Sequence, residues 1–263
     1  MKSLEAPAKI NLALVVGPRR SDGKHEVATV LQRIDLSDRI SLESGSSLDI
    51  IGFPEDTLVR DALLSLAGAA AIDPHWSVRI EKRIPVAAGL GGGSSDAATA
   101  LRLANETLAR PLPEARLHEL AAALGSDVPF FLTSGTQLGT GDGSELRGVD
   151  LPRDYAVLVV LPSDETKSST AEVYGAFAGA EGFEDRRTSL VAALEAGDLA
   201  GLPPNDLVSS PTAVELLEAG AFRADVSGAG PAVYGLFTER ERAAEARELF
   251  ADQCETWLTA PAW

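Results

Sequence analysis

The stretch Ile84-Pro85-Val86-Ala87-Ala88-Gly89-Leu90-Gly91-Gly92-Gly93-Ser94-Ser95-Asp96-Ala97-Ala98 sets the terms on which the rest of this chain can fold. Gly91 to Gly93 give a backbone free to take positive φ and to come close to a ligand. Ser94 and Ser95 stand where a helix through the following alanines should begin. The free N–H groups and the dipole of a helix start make a site for a phosphate-sized anion. Ala97, Ala98, Thr99 and Ala100 would let that helix lie close on a sheet. An ordinary capped helix after a flexible turn is the structural alternative. Two familiar phosphate loops do not match. No Gly-x-x-x-x-Gly-Lys-Ser/Thr occurs, and Gly89-x-Gly91 is followed by Ser94 where a dinucleotide fingerprint needs its third glycine.

An anion bound there is held by local groups, because the 263 residues carry a net charge of -16. The same charge argues against nucleic acid as a partner, since phosphates would be repelled. Cys254 is the sole cysteine, so an intramolecular disulfide and a cysteine zinc cluster are excluded. His25, His75 and His118 lack metal-ligand spacing, and no protein metal site is expected. Met1 to Lys9 lacks the apolar core of a signal peptide, and no run of about 18 apolar residues could span a bilayer. The expectation is a cytoplasmic protein with no membrane partner.

Taken in order, Ile10, Leu12, Leu14 and Val16 alternate with Lys9, Asn11, Ala13 and Val15, the period of a strand. Lys9 and Asn11 share its other face, and a solvated edge lysine is the plain alternative there. Residues 17–25 read as a polar loop in which Arg19, Arg20, Lys24 and His25 concentrate positive charge, suited to an anionic ligand or to a charged hairpin. An apolar run follows at 27–34, with short strands at 38–43 and 47–51 and a helix over 58–72. Trp76, Val78 and Ile80 mark the strand that feeds the glycine loop, and 97–108 the helix after it. Pro113 and Glu114 open a helix that Gly125 stops. Asp127 then either caps a short helix holding Pro129 or, beside Val128-Pro129-Phe130-Phe131, is a partly desolvated base. Residues 139–143 form a turn cluster, 150–154 a domain boundary, and 156–161 a buried strand. Residues 164–188 read as irregular, 189–197 and 211–220 as helical, 225–237 as strand, glycine turn and strand, and 239–251 as a closing helix. Short alternation of strands and helices in this second half indicates an α+β layer.

Pro7-Ala8-Lys9-Ile10-Asn11-Leu12, Pro85 to Ala98 and Val226-Ser227-Gly228-Ala229-Gly230-Pro231 together resemble the GHMP kinases. Asp22 to Glu26, Gly125 to Phe130 and Asn205-Asp206 are similar to the branch acting on a cytidylyl sugar alcohol of the non-mevalonate isoprenoid precursor route. The resemblance implies an α+β, two-domain kinase: a ribosomal-S5-domain-2-like half over 1–152 carrying ATP, and a ferredoxin-like half over 153–263. It implies Asp127 as catalytic base with Lys9 as its neighbour. It places Pro85, Ala87, Gly89, Leu90, Gly91, Gly92, Gly93, Ser94 and Ser95 around the nucleotide, and Asn11, Lys24, His25 and Tyr174 at the substrate. Mg²⁺ is implied with the ATP, held mostly by phosphate oxygens and water, with Ser95 as the protein's contribution. The implied partner is a small molecule and the implied assembly a monomer or homodimer. Lys24 departs from the pattern, standing where the family carries a stacking tyrosine, and Thr57 stands where an asparagine is common. A kinase for a homoserine-type or mevalonate-type alcohol is the alternative reading, and a nucleotide-binding regulator without catalysis is a third.

Overall fold

The computed structural model describes residues 1–54, 56–163 and 170–262. In chain order the elements are β1 (Lys2–Arg19), β2 (His25–Ser44), β3 (Asp49–Ile51), α1 (Thr57–Ala70), β4 (Trp76–Glu81), α2 (Gly92–Asn105) and α3 (Glu114–Leu124). They continue with β5 (Thr136–Thr140), β6 (Glu145–Val149), β7 (Ala156–Pro162), α4 (Thr170–Ala176), α5 (Phe183–Ala196) and α6 (Pro211–Glu218). The last are β8 (Arg223–Val226), β9 (Val233–Phe237), α7 (Arg240–Phe250), β10 (Cys254–Thr259) and β11 (Pro261–Ala262). Two compact units result. The first comprises residues 1–8, 36–86 and 91–134, the second residues 9–35, 87–90 and 135–263.

In the first unit the end of β2 pairs antiparallel with β4, Ile40 opposite Ile80, and β3 pairs parallel with β4, Ile50 opposite Val78. Asp56 caps α1 by accepting the Val59 N–H at 3.0 Å. Its buried stripe of Val59, Ala62, Leu63, Leu66 and Ala67 packs against α2. Ala97, Ala98, Ala100 and Ala104 are buried on α2, and their small side chains permit that close approach. Trp76 is fully buried, and its Nε1 donates to Thr107 Oγ1 at 2.9 Å.

In the second unit β2 pairs with β5, Val30 opposite Leu138, and β5 with β6. A four-stranded antiparallel sheet runs β10-β7-β9-β8, with Leu158, Val160, Val226, Val233 and Phe237 meeting Leu216, Ala243 and Phe250 of α6 and α7. The α+β reading of the sequence is thus the observed one.

Several local expectations are corrected. The 27–34 run and the 38–43 strand are one 20-residue strand, because Asp38, which breaks the apolar pattern, is fully buried and bonded there. Residues 164–169 lie outside the described residues, but the rest of the segment expected to be irregular holds α4 and the first part of α5. Phe183 is the one apolar side chain over residues 183–189, and Phe183, Leu190 and Leu194 are the buried residues of α5. Helix α2 begins at Gly92, five residues before the expected start, so Ser94 and Ser95 lie inside its first turns and do not cap it. The strand β10 at the sheet's edge was not read from the sequence. Among the described residues, no helix is long and apolar enough to cross a membrane.

Candidate active site

In the first unit the glycine loop becomes a helix without a side-chain cap. Gly91, at φ 70°, is the N-cap of α2 and makes no side-chain capping bond, and the first turn carries no acidic residue. Ser95 N–H already closes on Gly91 O at 2.9 Å, while the N–H groups before it have no partner within the helix. These groups and the dipole of a 14-residue helix favour a phosphate oxygen. Ser95 Oγ is buried and has no hydrogen-bond partner among the described residues. An uncapped start with an orphaned hydroxyl fits the terminal phosphates of a nucleotide and their cation. No group of three His, Cys, Asp or Glu side chains suited to a metal occurs among the described residues.

Residues 87–90 belong to the second unit, where hydrogen bonds hold the carbonyls of Ala88, Gly89 and Leu90. Lys9 N–H donates to Leu90 O at 2.9 Å, Ala232 N–H to Ala88 O at 3.0 Å, and Ser227 Oγ to Gly89 O at 3.0 Å. Gly89 sits at φ 83°, and Ala87 also takes a positive φ of 58°. The turn Ser227–Gly230 that receives the loop is shaped by Asn205, whose Nδ2 donates to Val226 O at 3.0 Å and Gly228 O at 2.7 Å.

Lys9 is 3% exposed, so the solvated-edge reading of it fails. Its Nζ donates to Asn11 Oδ1 at 2.6 Å, Asn11 Nδ2 donates to Thr29 Oγ1 at 2.8 Å, and Thr29 Oγ1 donates to Ala13 O at 2.8 Å. This relay fixes which end of the Asn11 amide faces the ammonium. A Cβ on Gly228 would lie 3.3 Å from Lys9 Nζ, so a glycine there leaves the lysine room. Asp127 belongs to the first unit, half-buried in the turn after α3. The short 3-10 helix Pro129–Leu132 has Val128 as its N-cap, and Val128 itself supplies no side-chain capping bond. Gly125 stops α3 in extended backbone rather than in the left-handed form.

In the second unit His25 is 8% exposed. Its Nδ1 lies 2.9 Å from Gly17 O, and since a carbonyl only accepts, that nitrogen carries the proton. Nε2 is buried and has no partner among the described residues. Tyr174 stands 5.9 Å from the imidazole, tilted at 44°, and Phe177 meets it edge-on at 5.8 Å. Leu14, Val16 and Val27 back both rings. Phe177, one residue past the end of α4, was missed in the sequence and meets His25 only in the fold. Asp142, which pairs with Lys24, was missed as well. The positive charge of the 17–25 loop is matched by carboxylates: Arg20 pairs with Asp22 at 3.2 Å and Glu26 at 2.7 Å.

A second feature that the sequence did not reveal is a buried ion cluster in the first unit. Lys82 pairs with both Asp38 and Asp96, each carboxylate fully buried. Burial pushes the Asp96 carboxyl up to about 7, Lys82 opposes this, and the Asp38 charge adds to it. Burial also works against the Lys82 ammonium, but the two aspartates outweigh it and raise its pKa. The unfolded chain releases the Asp96 proton near 3.8, the folded chain near 7. Stabilisation by the protonated form is therefore present below about pH 4 and lost as pH rises through about 7. The melting temperature should fall over that interval more steeply than in Asp96→Asn, as thermal scans at each pH would show.

With this geometry in hand, comparison with known proteins adds three findings. The family described as GHMP kinases N terminal domain matches residues 57–135, and GHMP kinases C terminal matches residues 211–256. The chain is 39% identical to a 4-diphosphocytidyl-2-C-methyl-D-erythritol kinase of Geobacter sulfurreducens, over 98% of this chain and 97% of that protein. Among solved structures it is similar to a 4-(cytidine 5'-diphospho)-2C-methyl-D-erythritol kinase, with a TM-score of 0.84 at 31% identity and full coverage of both chains. The mevalonate kinase of Methanococcus jannaschii shares the fold, with a TM-score of 0.76 at 14% identity, covering 100% of this chain and 98% of that one.

Proposed function

The chain belongs to the 4-diphosphocytidyl-2-C-methyl-D-erythritol kinases of the GHMP family, and from that premise we propose how its own residues carry the reaction. The enzyme phosphorylates the 2-hydroxyl of the cytidylyl sugar alcohol at the expense of ATP. When bound, ATP supplies the phosphoryl group and Mg²⁺ offsets the charge of its oxygens. The N–H groups that follow Gly91 hold phosphate oxygens, with Ser95 Oγ as the one side-chain atom assigned to the cation's surroundings. Asp127 takes the proton of the attacking hydroxyl. Lys9, its position set by Asn11, offsets the negative charge that develops on the transferred group. In-line positioning does the larger share of the work, because phosphoryl transfer needs little covalent help.

The observation that carries the cytidylyl specificity is the orphaned Nε2 of His25. With Nδ1–H committed to Gly17 O, His25 is left to offer Nε2 as an acceptor for the exocyclic amine of cytosine. A uracil analogue would place a carbonyl oxygen against that acceptor. Tyr174 and Phe177 supply aromatic surface for the base, so the stacking that Lys24 cannot provide has two other sources. Lys24 is turned to a different use by its pairing with Asp142.

His25→Leu should raise KM for the cytidylyl substrate about 10–100-fold, the worth of one buried hydrogen bond, with KM for ATP within about twofold of wild type. Steady-state kinetics with each substrate varied in turn decides it. Equal KM values for the cytidylyl substrate in variant and wild type would remove His25 from the site.

A further inference from the structure

The cluster of Asp38, Lys82 and Asp96 has no part in the mechanism above, yet it touches both ends of the glycine loop. β4 ends at Glu81, so the N–H groups of Arg83 and Ile84 lack a ladder partner. Asp38 Oδ1 accepts both, at 2.5 and 2.8 Å. Asp38 Oδ2 receives the Lys82 ammonium, which reaches on to Asp96 Oδ2 at 2.8 Å. Pro85 begins the loop one residue after Ile84, and Asp96 follows Ser95 directly on α2. A single side chain on β2 therefore holds the residues that enter the loop and, through Lys82, the helical turn that leaves it.

Burying two carboxylates around one ammonium is a poor way to gain stability, since apolar residues of like volume do as well or better. The arrangement also leaves Asp96 Oδ1 buried without a partner among the described residues. What ions and directed N–H bonds provide, and an apolar filling does not, is a fixed register for the backbone they hold. Lys82 is 17% exposed at its side chain and lies 5.8 Å from the centre of the Phe53 ring, so it too is confined.

We propose that Asp38 is a positioning residue for nucleotide binding, tying the entry and exit of the glycine loop to one point on β2 so that the N–H groups after Gly91 are held ready for phosphate. The proposal rests on the reading that those N–H groups receive the ATP phosphates.

The test uses the full chain and its Asp38→Asn variant, which keeps the side chain's shape and one acceptor but loses the charge that holds Lys82. Calorimetric titration with ATP should show Kd raised about tenfold, while KM for the cytidylyl substrate stays within about twofold. Asp96→Asn, which leaves the Asp38 bonds in place, should show a smaller rise of about threefold, and it decides the matter should Asp38→Asn fail to fold. Folded variants that bind ATP as wild type does would overturn the positioning role. A parallel rise in both substrates' constants would also overturn it, since that marks general loosening. If wild type itself binds no ATP, the phosphate-site reading falls instead.

Discussion

Asp127→Asn should lower kcat by about 10²–10⁴-fold, the usual contribution of a general base, with ATP affinity within about twofold of wild type. The amide keeps the size of the side chain and removes its ability to take a proton. Stability should change little, because the amide fills the same half-buried turn position as the carboxylate. Loss of turnover in a variant with an unchanged melting temperature would thus be a chemical effect. Single-turnover measurements with saturating ATP isolate the transfer step. A variant that keeps more than about a tenth of wild-type kcat would show that Asp127 is not the base.

The second large effect is expected at Gly89. An alanine there takes a left-handed φ of 83°, and its Cβ would also run into the carbonyl oxygen of Ser227 and lie 3.1 Å from Gly230 O. The first penalty is about 1 kcal/mol. Displacing a packed backbone adds about 1–3 kcal/mol, and losing the Ser227 Oγ bond to Gly89 O adds about 1 kcal/mol more. Gly89→Ala should therefore cost roughly 3–5 kcal/mol in denaturant unfolding and abolish ATP binding at concentrations that saturate wild type. Gly68→Ala is the control. That glycine lies inside α1 with nothing within 4 Å of the added methyl, so the variant should gain about 0.5–1 kcal/mol. A Gly89→Ala chain as stable as wild type would mean that residues 87–90 are not held against the 227–230 turn as described.

What could be read in the sequence was what local rules govern. The alternation at 10–16 put Lys9 and Asn11 on one face, and the structure joins them by a hydrogen bond. Gly91 to Gly93 suggested a backbone able to take positive φ, which Gly91 does at 70°, whereas Gly92 and Gly93 are helical. The start of α2 was misjudged because Gly92 and Gly93 are poor helix formers in isolation, and here packing against α1 outweighs propensity. Asp38 looked like the edge of a strand because nothing nearby in sequence explains a buried aspartate. Its partners lie 44 to 46 residues away. Phe177 and Asp142 were invisible for the same reason, since they meet His25 and Lys24, respectively, only through the tertiary fold.

This chain should move a phosphoryl group to a cytidylyl alcohol with residues arranged for that base. The most direct measurement is ATP-dependent phosphorylation by the purified protein with Mg²⁺, offering 4-diphosphocytidyl-2-C-methyl-D-erythritol beside its uridine analogue, homoserine and mevalonate. Robust turnover of the cytidylyl compound is expected, with a kcat/KM about 10²-fold or more lower for the uridine analogue and no turnover of the other two alcohols. Equal use of cytidine and uridine forms would contradict the role given to His25, and phosphorylation of homoserine or mevalonate instead would contradict the substrate itself.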